Sequence, residues 1–566
     1  MFLPTTAKEL EQLDWDSLDV ILVMGDSYVD SPFVGAAVVG RVLLDAGYRV
    51  GVIAQPDIQS PKDIVRLGAP NLFWGVTGGC IDSMVANYTA TQKPKRRDDM
   101  TPGGRNERRP DRAVIVYTNL IKRYFKDTRP IVLGGVEASL RRVAHYDYWS
   151  DRVRRSILFD AKADVIVYGM GEKTVVELAQ RLDRGQGVDE AVEDLRGVCY
   201  ISHEKRAGYL ELPSYQAVKR DQEAFTGMFH TFYHNNDPRA AQGLYQQQDT
   251  RYLVQNPPAP YLTQQELDTV HELGYQRDQH PYYARQGDVK ALETIKFSIA
   301  THRGCYGECN FCSIAVHQGR TVRWRSPESI LAEARLLTQL PDFKGYIQDV
   351  GGPTANMYGF ECQKKLERGV CEDRRCLYPR TCPQLTPDHR RQLSLLRRLR
   401  QIKGIKKVFV GSGIRPDLVL ADRKRGKRYL QEIVQHHVSG QMKIAPEHTE
   451  ENVLRLMGKP GPDDLLAFKD AFYQYTQAAG KEQFLTYYLI AAHPGCTEED
   501  MYRLRDFTRQ VLDIRPEQVQ IFTPTPSTYA TLMYYTERDP WTGEKIFVEK
   551  SLKGKMRQKE IVTGRE

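Results

Sequence analysis

The chain has 566 residues, of which 41% are hydrophobic and 27% are charged. These fractions are typical of globular proteins and exclude a largely disordered chain, while the length predicts roughly two to four domains. Basic residues outnumber acidic ones by 80 to 72, and the resulting net charge of +8 permits anionic partners without requiring them.

No apolar stretch reaches the roughly 20 residues that a membrane-spanning helix needs. The N-terminus, MFLPTTAKELEQ, lacks the basic region and apolar core of a secretory signal. We therefore expect a cytoplasmic protein without membrane contact. In that compartment the ten cysteines are expected to be reduced, reactive or metal-bound rather than paired in disulfides.

Short apolar strands alternate with helical patterns over the first 195 residues, which is typical of a parallel α/β sheet. We predict a Rossmann-like N-terminal domain at 1–195. Its glycine-rich turns lack a dinucleotide fingerprint, so we favour ordinary turns over a phosphate cradle. Its strands are predicted at 19–24, 48–54, 113–117, 130–133 and 164–168, and its helices at 33–47 and after Gly171.

Two segments have weaker patterns. Residues 92–112 are basic and turn-rich, and we favour a solvated loop there over a phosphate-binding one. Residues 196–290 are rich in Gln, Tyr and Pro, and we predict a connector that packs on both neighbouring domains.

A second α/β run occupies 291–530. Six strands alternating with helices predict a barrel or partial barrel whose site lies at the carboxyl ends of its strands. The strands are predicted at 294–301, 345–350, 407–410, 441–444, 484–490 and 518–522, and the helices at 327–339, 388–402, 427–437, 450–457, 462–479 and 498–512.

Directly after the first of these strands, Cys305, Cys309 and Cys312 form a C-x3-C-x2-C motif. Glycines within and before the motif disfavour a regular helix and favour a loop wrapped around a cluster. Thiolates suit iron–sulfur clusters or zinc, and three of them on a four-iron cluster leave one iron open to another ligand. A structural zinc site completed by His302 or His317 is the weaker alternative.

This motif, with Phe311 at its aromatic position, resembles the signature of radical S-adenosylmethionine (SAM) enzymes. The resemblance implies a partial (β/α)6 barrel and a [4Fe-4S] cluster on the three cysteines. It also implies SAM binding by Phe311, by Gly351-Gly352 after the second strand, and by Ser412 and Arg415 after a later one. Pro353 stands where the superfamily more often has Glu.

Over nearly its full length the chain resembles the uncharacterised YgiQ family of radical SAM proteins. The matching segments include MGDSYVDSPFVGAAVVGRVLLDAGYRVGVIAQPD, GGVEASLRRVAHYDYWSD and GGPTANMYG. The resemblance implies one-electron reduction of the cluster, cleavage of SAM to methionine and a 5′-deoxyadenosyl radical, and removal of a substrate hydrogen. The reductant would be a protein such as flavodoxin or ferredoxin. The catalytic residues and the substrate, whether RNA, protein or metabolite, are not identified by the sequence.

Four further cysteines lie in an insertion at 360–385: Cys362, Cys371, Cys376 and Cys382. Their spacing matches no standard zinc finger. A second iron–sulfur cluster, slightly favoured, and a zinc ion are both compatible with them. The alternative is a redox-inert insertion or a disulfide pair. Cys80, Cys199 and Cys496 stand alone and are interpreted as small core residues.

An α/β domain before a radical SAM core resembles the cobalamin-binding arrangement. That class usually displays D-x-H-x-x-G, whose histidine ligates cobalt, but the corresponding loop here, DSYVDSPFVG at 26–35, has no histidine. Histidine ligation of cobalt is therefore excluded at this loop, although cobalamin can bind without it. We do not expect cobalamin and favour a domain that presents the substrate or caps the barrel.

Several histidines are candidate acid–base groups, and we favour Glu447-His448 among them. A basic C-terminal tail at 531–566 is predicted as a solvated amphipathic helix rather than an RNA-binding segment, although a nucleic-acid substrate remains open. The alternative to a radical SAM enzyme is a non-catalytic iron–sulfur protein in electron transfer or redox sensing; another is a zinc-stabilised nucleic-acid-binding protein.

Overall fold

In a computed structural model that describes residues 1–564, the chain forms two compact units. The first contains residues 1–261 and 269–296, and the second contains 262–268 and the chain from 297 onward. Arg565 and Glu566, at the end of the predicted tail, lie outside the described residues.

The first unit is built on a nine-stranded sheet. The strands of the unit are β1 Val20–Met24, β2 Val29–Asp30, β3 Val50–Ala54, β4 Phe73–Thr77, β5 Ile131–Gly134, β6 His145–Asp147, β7 Arg152–Arg154, β8 Val165–Val167, β9 Val198–Ser202, β10 Leu210–Leu212, β11 Leu244–Gln248, β12 Arg251–Gln255 and β13 Asp278–Gln279. The order in the large sheet is β10-β11-β12-β9-β8-β5-β4-β1-β3. Neighbouring strands from β3 to β8 run parallel, and antiparallel pairs begin at β9.

The sequences of the central strands explain this layout. Every residue of β1 and β3 is buried, in register from Val20 beside Val50 to Met24 beside Ala54. Continuous apolar strands are typical of parallel sheets covered on both faces. The helices of the unit are Ala7–Gln12, Gly35–Asp45, Ser83–Asn87, Ala113–Tyr124, Gly135–Leu140, Ile157–Ala161, Glu172–Asp183, Val188–Val192, Tyr215–Arg220, Gln222–His234, Pro281–Ala284 and Leu292–Ile295; helix Gln264–His271 contains a boundary between the units.

The predicted strand at 113–117 is wrong, because the segment begins the helix Ala113–Tyr124. Its β-branched residues favour a strand locally, but burial of Val114, Tyr117 and Ile121 follows the helical spacing of three and four residues. The strand between 48–54 and 130–133 is instead β4, which the sequence analysis missed.

Residues 198–255, which lie in the predicted connector, supply β9 to β12 to the large sheet. Antiparallel pairing of β12 with β9 and of β11 with β12 places these strands beside the parallel part. The sheet explains why this polar segment is ordered, since Gln246, Gln248 and Gln255 point their amides into buried hydrogen bonds.

The strands of the second unit are β14 Ser298–Ala300, β15 His302–Arg303, β16 Arg323–Trp324, β17 Tyr346–Ile347, β18 Asp349–Gly351, β19 Lys407–Val408, β20 Gln441–Glu447, β21 Phe484–Ala491 and β22 Gln520–Ile521. Six strand segments follow one another in parallel: β14, β17 with β18, β19, β20, β21 and β22. β14 pairs with β18, β17 with β19, β20 with β21 and β21 with β22, and a parallel bridge from Ile414 to Ile444 joins the third segment to the fourth.

Helices separate these strands, close to the predicted ranges. They are Ile314–His317, Pro327–Leu337, Gln363–Arg368, Arg390–Arg400, Pro416–Ala421, Gly426–His436, Glu451–Met457, Asp463–Ala478, Glu498–Gln510, Tyr529–Thr536 and Leu552–Thr563. The chain is thus an α/β protein with a large, mainly parallel sheet.

The C-terminal segment is a helix, but it is more buried than the solvated helix that the sequence predicts. In Leu552–Thr563, Lys555, Gln558, Ile561 and Val562 are buried. Gln558 donates to the carbonyl of Cys496 and accepts from the N–H of Ala492, so the helix is fixed against the end of β21.

Candidate functional site

The first cysteine motif lies on a loop between β15 and helix Ile314–His317. The loop begins at Gly304, whose φ is +80° and where a Cβ would lie 2.3 Å from the carbonyl oxygen of Thr321. Glycine is therefore required at this turn by both conformation and space. Within the loop, Cys312 N–H donates to the carbonyl of Cys309 at 3.0 Å.

The three thiols lie close enough to influence one another. Burial raises the pKa of Cys305, and raises that of Cys312 to about 12, with a further contribution from the Cys309 thiol in each case. The N–H of Gly307 donates to Cys305 Sγ at 3.4 Å, and Cys305 Sγ lies 3.7 Å from Thr354 Oγ1. These thiols need a strong positive partner to become thiolates, and a metal centre supplies one.

Arg415, predicted to contact SAM, lies beside this loop. Its Nη1 is 3.9 Å from Cys309 Sγ, and its Nη2 pairs with Asp417 at 2.6 Å. Burial alone would lower the pKa of Arg415, but the Asp417 carboxylate outweighs burial and the pKa is raised. The guanidinium is therefore a permanent charge next to the sulfurs.

The Gly351-Gly352 segment meets the same region from the end of β18. A Cβ on Gly352 would lie 2.6 Å from the His302 ring, and one on Gly351 would lie 2.7 Å from Ser412 Oγ. The carbonyl of Gly351 accepts from Thr301 N at 2.7 Å and from Thr301 Oγ1 at 3.0 Å. Both glycines are thus needed for the close approach of neighbouring groups.

Sequence reasoning missed two residues that hold these groups together. Asp349 accepts hydrogen bonds from the N–H groups of Gly411 and Ser412, at 2.7 and 3.0 Å, and from Ser412 Oγ. Asn356 accepts from Arg415 N at 2.9 Å and donates to the Arg415 carbonyl at 3.0 Å. In the sequence, Asp349 precedes the paired glycines and Asn356 follows them. This proximity to the glycine motif was the available sequence signal for the two residues.

Phe311 is half-buried and makes an edge contact with His493, with ring centroids 6.2 Å apart. His493 in turn packs on Phe522 at 5.2 Å, and burial lowers its pKa to about 3. The aromatic position of the motif therefore faces the segments after β21 and β22.

Glu447 and His448 are both buried. Glu447 lies 3.6 Å from Lys459 Nζ, and His448 Nε2 lies 3.6 Å from Cys496 Sγ. Burial lowers the pKa of His448 to about 4, so the ring is neutral at physiological pH.

The second cysteine set lines a separate cavity of about 430 Å³ in the same unit. Tyr306 and Glu308, from the first cysteine loop, also line it. Within residues 1–564, no three His, Cys, Asp or Glu side chains converge closely enough to hold a single metal ion.

In the first unit, the loop expected to display a cobalt ligand is buried and paired. Val29 and Asp30 form β2, which pairs with β13, and Asp30 forms an ion pair with Arg41. The loops that follow β1 and β4 also pack tightly against each other, since a Cβ on Gly25 would lie 2.2 Å from the Gly78 carbonyl oxygen.

A buried ion-pair network fills the same edge. Arg109 pairs with Asp26 at 2.5 Å and with Asp98 at 2.9 Å, and its Nε donates to the Gly25 carbonyl at 3.1 Å. The segment 92–112, about half of whose residues are exposed, is therefore anchored in the fold by Arg109 and by further contacts such as Arg112 with Asp147, rather than being solvated throughout.

Within the part of the chain that the structure describes, no helix combines the length and the apolar composition needed to span a membrane.

Comparison with solved structures shows similarity in fold. TsrM from Kitasatospora setae, a radical SAM methyltransferase determined with cobalamin and a [4Fe-4S] cluster bound, has a TM-score of 0.51 at 15% identity, covering 96% of this chain and 85% of that one. OxsB, a cobalamin-dependent SAM radical enzyme, has a TM-score of 0.50 at 13% identity, covering 94% and 57%.

Sequence comparison is more specific. A family profile described as "Radical SAM N-terminal" matches residues 2–298 of this chain. The UPF0313 protein of Fusobacterium nucleatum is 55% identical, covering 99% of this chain and 98% of that protein. Relatives in Thermotoga petrophila and Methanocella arvoryzae are 51% and 49% identical, covering 99% and 97% of this chain and 98% and 90% of theirs. This chain belongs to the UPF0313 family, which is the YgiQ family, and is an enzyme of the radical SAM superfamily.

Proposed function

We propose that residues 291–530 are a radical SAM core with partial (β/α)6-barrel architecture, and that Cys305, Cys309 and Cys312 bind its [4Fe-4S] cluster. One observation carries the proposal: the three thiols, the Gly351-Gly352 segment and Arg415 meet at one edge of the parallel strands. Sites in such folds lie at that edge. The six parallel segments support the barrel.

The residues fit a cluster with one open iron. Three thiols on one loop supply three ligands. A Cβ on Gly307 would lie 3.1 Å from Arg415 Nη1 and 3.2 Å from Cys305 Sγ, so even a methyl group there would require these side chains to shift. Arg415 offsets the negative charge that three thiolates bring into a partly buried site. The N–H of Gly307 stabilises the sulfur of Cys305.

When bound, the cluster and SAM supply reductive cleavage of SAM, which yields the 5′-deoxyadenosyl radical that takes a hydrogen atom from the substrate. The chain's own task is to position SAM. Because the Gly351 carbonyl already accepts two hydrogen bonds, we assign the amino group of SAM to Gly352 rather than Gly351. Ser412, fixed by Asp349, is assigned to the ribose.

We assign the SAM carboxylate to Arg415, which Asp417 and Asn356 hold in place. The guanidinium suits this role because it remains charged. Its Nε and Nη2 are bound to Asp417, and Nη1 faces the cysteine loop as the donor for the carboxylate. Phe311, which makes an edge-to-face contact with His493, is assigned to one side of the SAM pocket.

We propose that the N-terminal Rossmann-like domain, 1–195, does not take cobalamin, although TsrM and OxsB are described with it. The expected ligand loop has no histidine and pairs with β13, while Arg109 and close loop packing occupy the adjacent strand ends. A corrin would have to displace these buried ion pairs. Growth and purification with excess hydroxocobalamin should therefore yield protein without cobalt, and stoichiometric cobalt would contradict this.

The substrate is unassigned, and the proposal includes RNA, a protein or a small metabolite as its class. A protein such as flavodoxin or ferredoxin is proposed as the reductant. A nucleic-acid substrate would draw on the net charge of +8. We also propose that the protein functions in the cytoplasm.

The test uses anaerobically reconstituted full-length protein reduced with dithionite. We expect the wild-type protein to release 5′-deoxyadenosine from SAM. The variant Cys305→Ala should lose this activity and also about four irons per chain. Cys199→Ala, at a buried cysteine in β9, is the matched control and should keep both. Iron without any SAM cleavage, and without a SAM-induced change in the EPR spectrum, would favour the alternative of a non-catalytic electron carrier or redox sensor.

A further inference from the structure

Cys362, Cys371, Cys376 and Cys382 all lie on the wall of one cavity of about 430 Å³. We propose that this cavity binds a second iron–sulfur cluster, ligated by these four cysteines. The proposal goes beyond the SAM site, because none of the four belongs to the C-x3-C-x2-C motif.

The segment that carries the last three of these cysteines has no regular structure of its own, whereas Cys362 directly precedes the helix Gln363–Arg368. Residues 369–389 contain no helix or strand, although the elements on both sides are helices. Structureless loops of this length inside a compact domain are uncommon and usually functional. A ligated metal centre can organise such a segment in place of secondary structure.

Two features nevertheless fix the loop around the cavity. Cys382 N–H donates to the carbonyl of Cys376 at 2.8 Å, which closes a turn between two of the ligands. Leu377 and Leu385 are 1% and 2% exposed and belong to one apolar cluster with Cys362. The thiols are therefore presented by anchored backbone rather than by a free loop.

The arrangement of the four cysteines favours a cluster over a single zinc ion. Zinc holds its four sulfurs about 2.3 Å from one point. The four cysteines here are spread among the fifteen residues that line the cavity, and no three His, Cys, Asp or Glu side chains of residues 1–564 converge closely enough for one metal ion. A spread Cys₄ set of soft thiolates suits the larger iron–sulfur core.

Charges on the cavity wall match an anionic cluster. Five cationic side chains line it against two acidic ones: Arg320, Lys364, Lys365, Arg374 and Arg375 against Glu308 and Asp373. Lys365 is 3% exposed, and its Nζ lies 3.6 Å from Cys376 Sγ and 2.8 Å from Glu361. A buried ammonium facing a cysteine sulfur stabilises a thiolate there.

The cavity adjoins the first cysteine loop. Tyr306, the residue after Cys305, is 1% exposed and forms part of the wall. Cys305, Cys376 and Cys382 all pack against the apolar cluster that contains Tyr306 and Cys362. The second cluster is thus placed beside the SAM-binding one within the same unit.

The test counts iron, acid-labile sulfide and zinc in anaerobically reconstituted full-length protein. We compare wild type with the triple variants Cys371→Ser/Cys376→Ser/Cys382→Ser and Cys305→Ser/Cys309→Ser/Cys312→Ser, and with Cys199→Ala. We expect about eight irons in wild type and in the Cys199 variant, and about four in each triple variant. Iron in the first-motif variant would then belong to the cavity, so failure of either site is seen separately.

Two results would overturn the inference: about four irons in wild type, unchanged when the second set is substituted, or one zinc that disappears with that set. EPR of the reduced wild-type protein keeps the test independent of whether the variants fold. Two spin systems, of which SAM alters only one, are expected, because a cluster with four cysteine ligands leaves no iron open to SAM. A single spin system quantifying to one spin per chain would contradict the second cluster.

Discussion

Arg109 lies at the centre of a buried ion-pair network at one edge of the first unit's sheet. Replacing it by methionine tests how much this network stabilises the fold. The substitution keeps the length of the side chain but removes its charge. Asp26, which is fully buried, then loses the guanidinium 2.5 Å away. Breaking one partner of a buried pair costs about 3–5 kcal/mol, and Asp98, whose side chain is 10% exposed, loses the same guanidinium at 2.9 Å.

The loss should depend on pH with a definite sign. Burial raises the pKa of Asp26 above its ordinary 3.8, although Arg109 and the N–H of Cys80 act to lower it. A carboxyl whose pKa is raised by folding binds its proton more tightly when folded, so stability falls as pH rises through the folded pKa. Without Arg109 that pKa rises further, so the deficit of the variant should grow as pH rises above the ordinary Asp pKa, by up to about 1.4 kcal/mol per pH unit.

Urea unfolding of the full chain at several pH values measures this, followed by tryptophan fluorescence, to which Trp74 in β4 contributes from a buried position. Arg108→Met, at the exposed neighbour, is the matched control and should change stability by less than about 0.5 kcal/mol. A deficit for Arg109→Met below about 1 kcal/mol, or one that is the same at every pH, would refute the reasoning.

Three further predictions concern the second unit. Gly352→Ala places a methyl group 2.6 Å from the His302 ring and should weaken SAM binding at least about tenfold by calorimetry, with cluster iron retained; unchanged affinity would contradict it. Asp349→Asn removes one of the oxygens that hold Ser412 and should weaken SAM binding by about 1–2 kcal/mol without loss of iron; equal loss of iron would point to a folding defect instead. The pKa of His448 is lowered to about 4 by burial, so the protein should lose stability as pH falls from about 6.5 toward 4, and His448→Gln should reduce that slope by about one proton.

Much of the architecture could be predicted because the apolar patterns are strong. The buried runs at 20–24 and 50–54 and the long amphipathic helices fall within a few residues of their predicted ranges. The failure at 113–117 has a clear cause. A run of β-branched residues satisfies both a strand and one turn of helix, and only the packing of the following turns decides between them.

The candidate site could be proposed from the sequence to the extent that its residues form short local motifs. Three cysteines, two adjacent glycines and the Ser412 and Arg415 motif could each be recognised from a short segment. For Asp349 and Asn356 the sequence offered no more than their nearness to the paired glycines, because their roles arise from hydrogen bonds to residues about 60 positions away. The anchoring of Arg109 was likewise invisible, since a basic segment gives no sign of which arginine turns inward.

Both units end parallel strands at one edge, and both place glycines there, so topology and glycines alone do not mark a site. The difference lies in whether the groups that meet are satisfied by one another. At the edge of the first unit, Asp26 and Arg109 form a buried ion pair. At the edge of the second, burial raises the pKa of Cys305 and Cys312, and their conversion to thiolates calls for a cation that the protein's own side chains supply only in part through Arg415. An edge whose charges are paired stabilises the fold, whereas an edge whose buried thiols still require a positive partner is prepared to bind one.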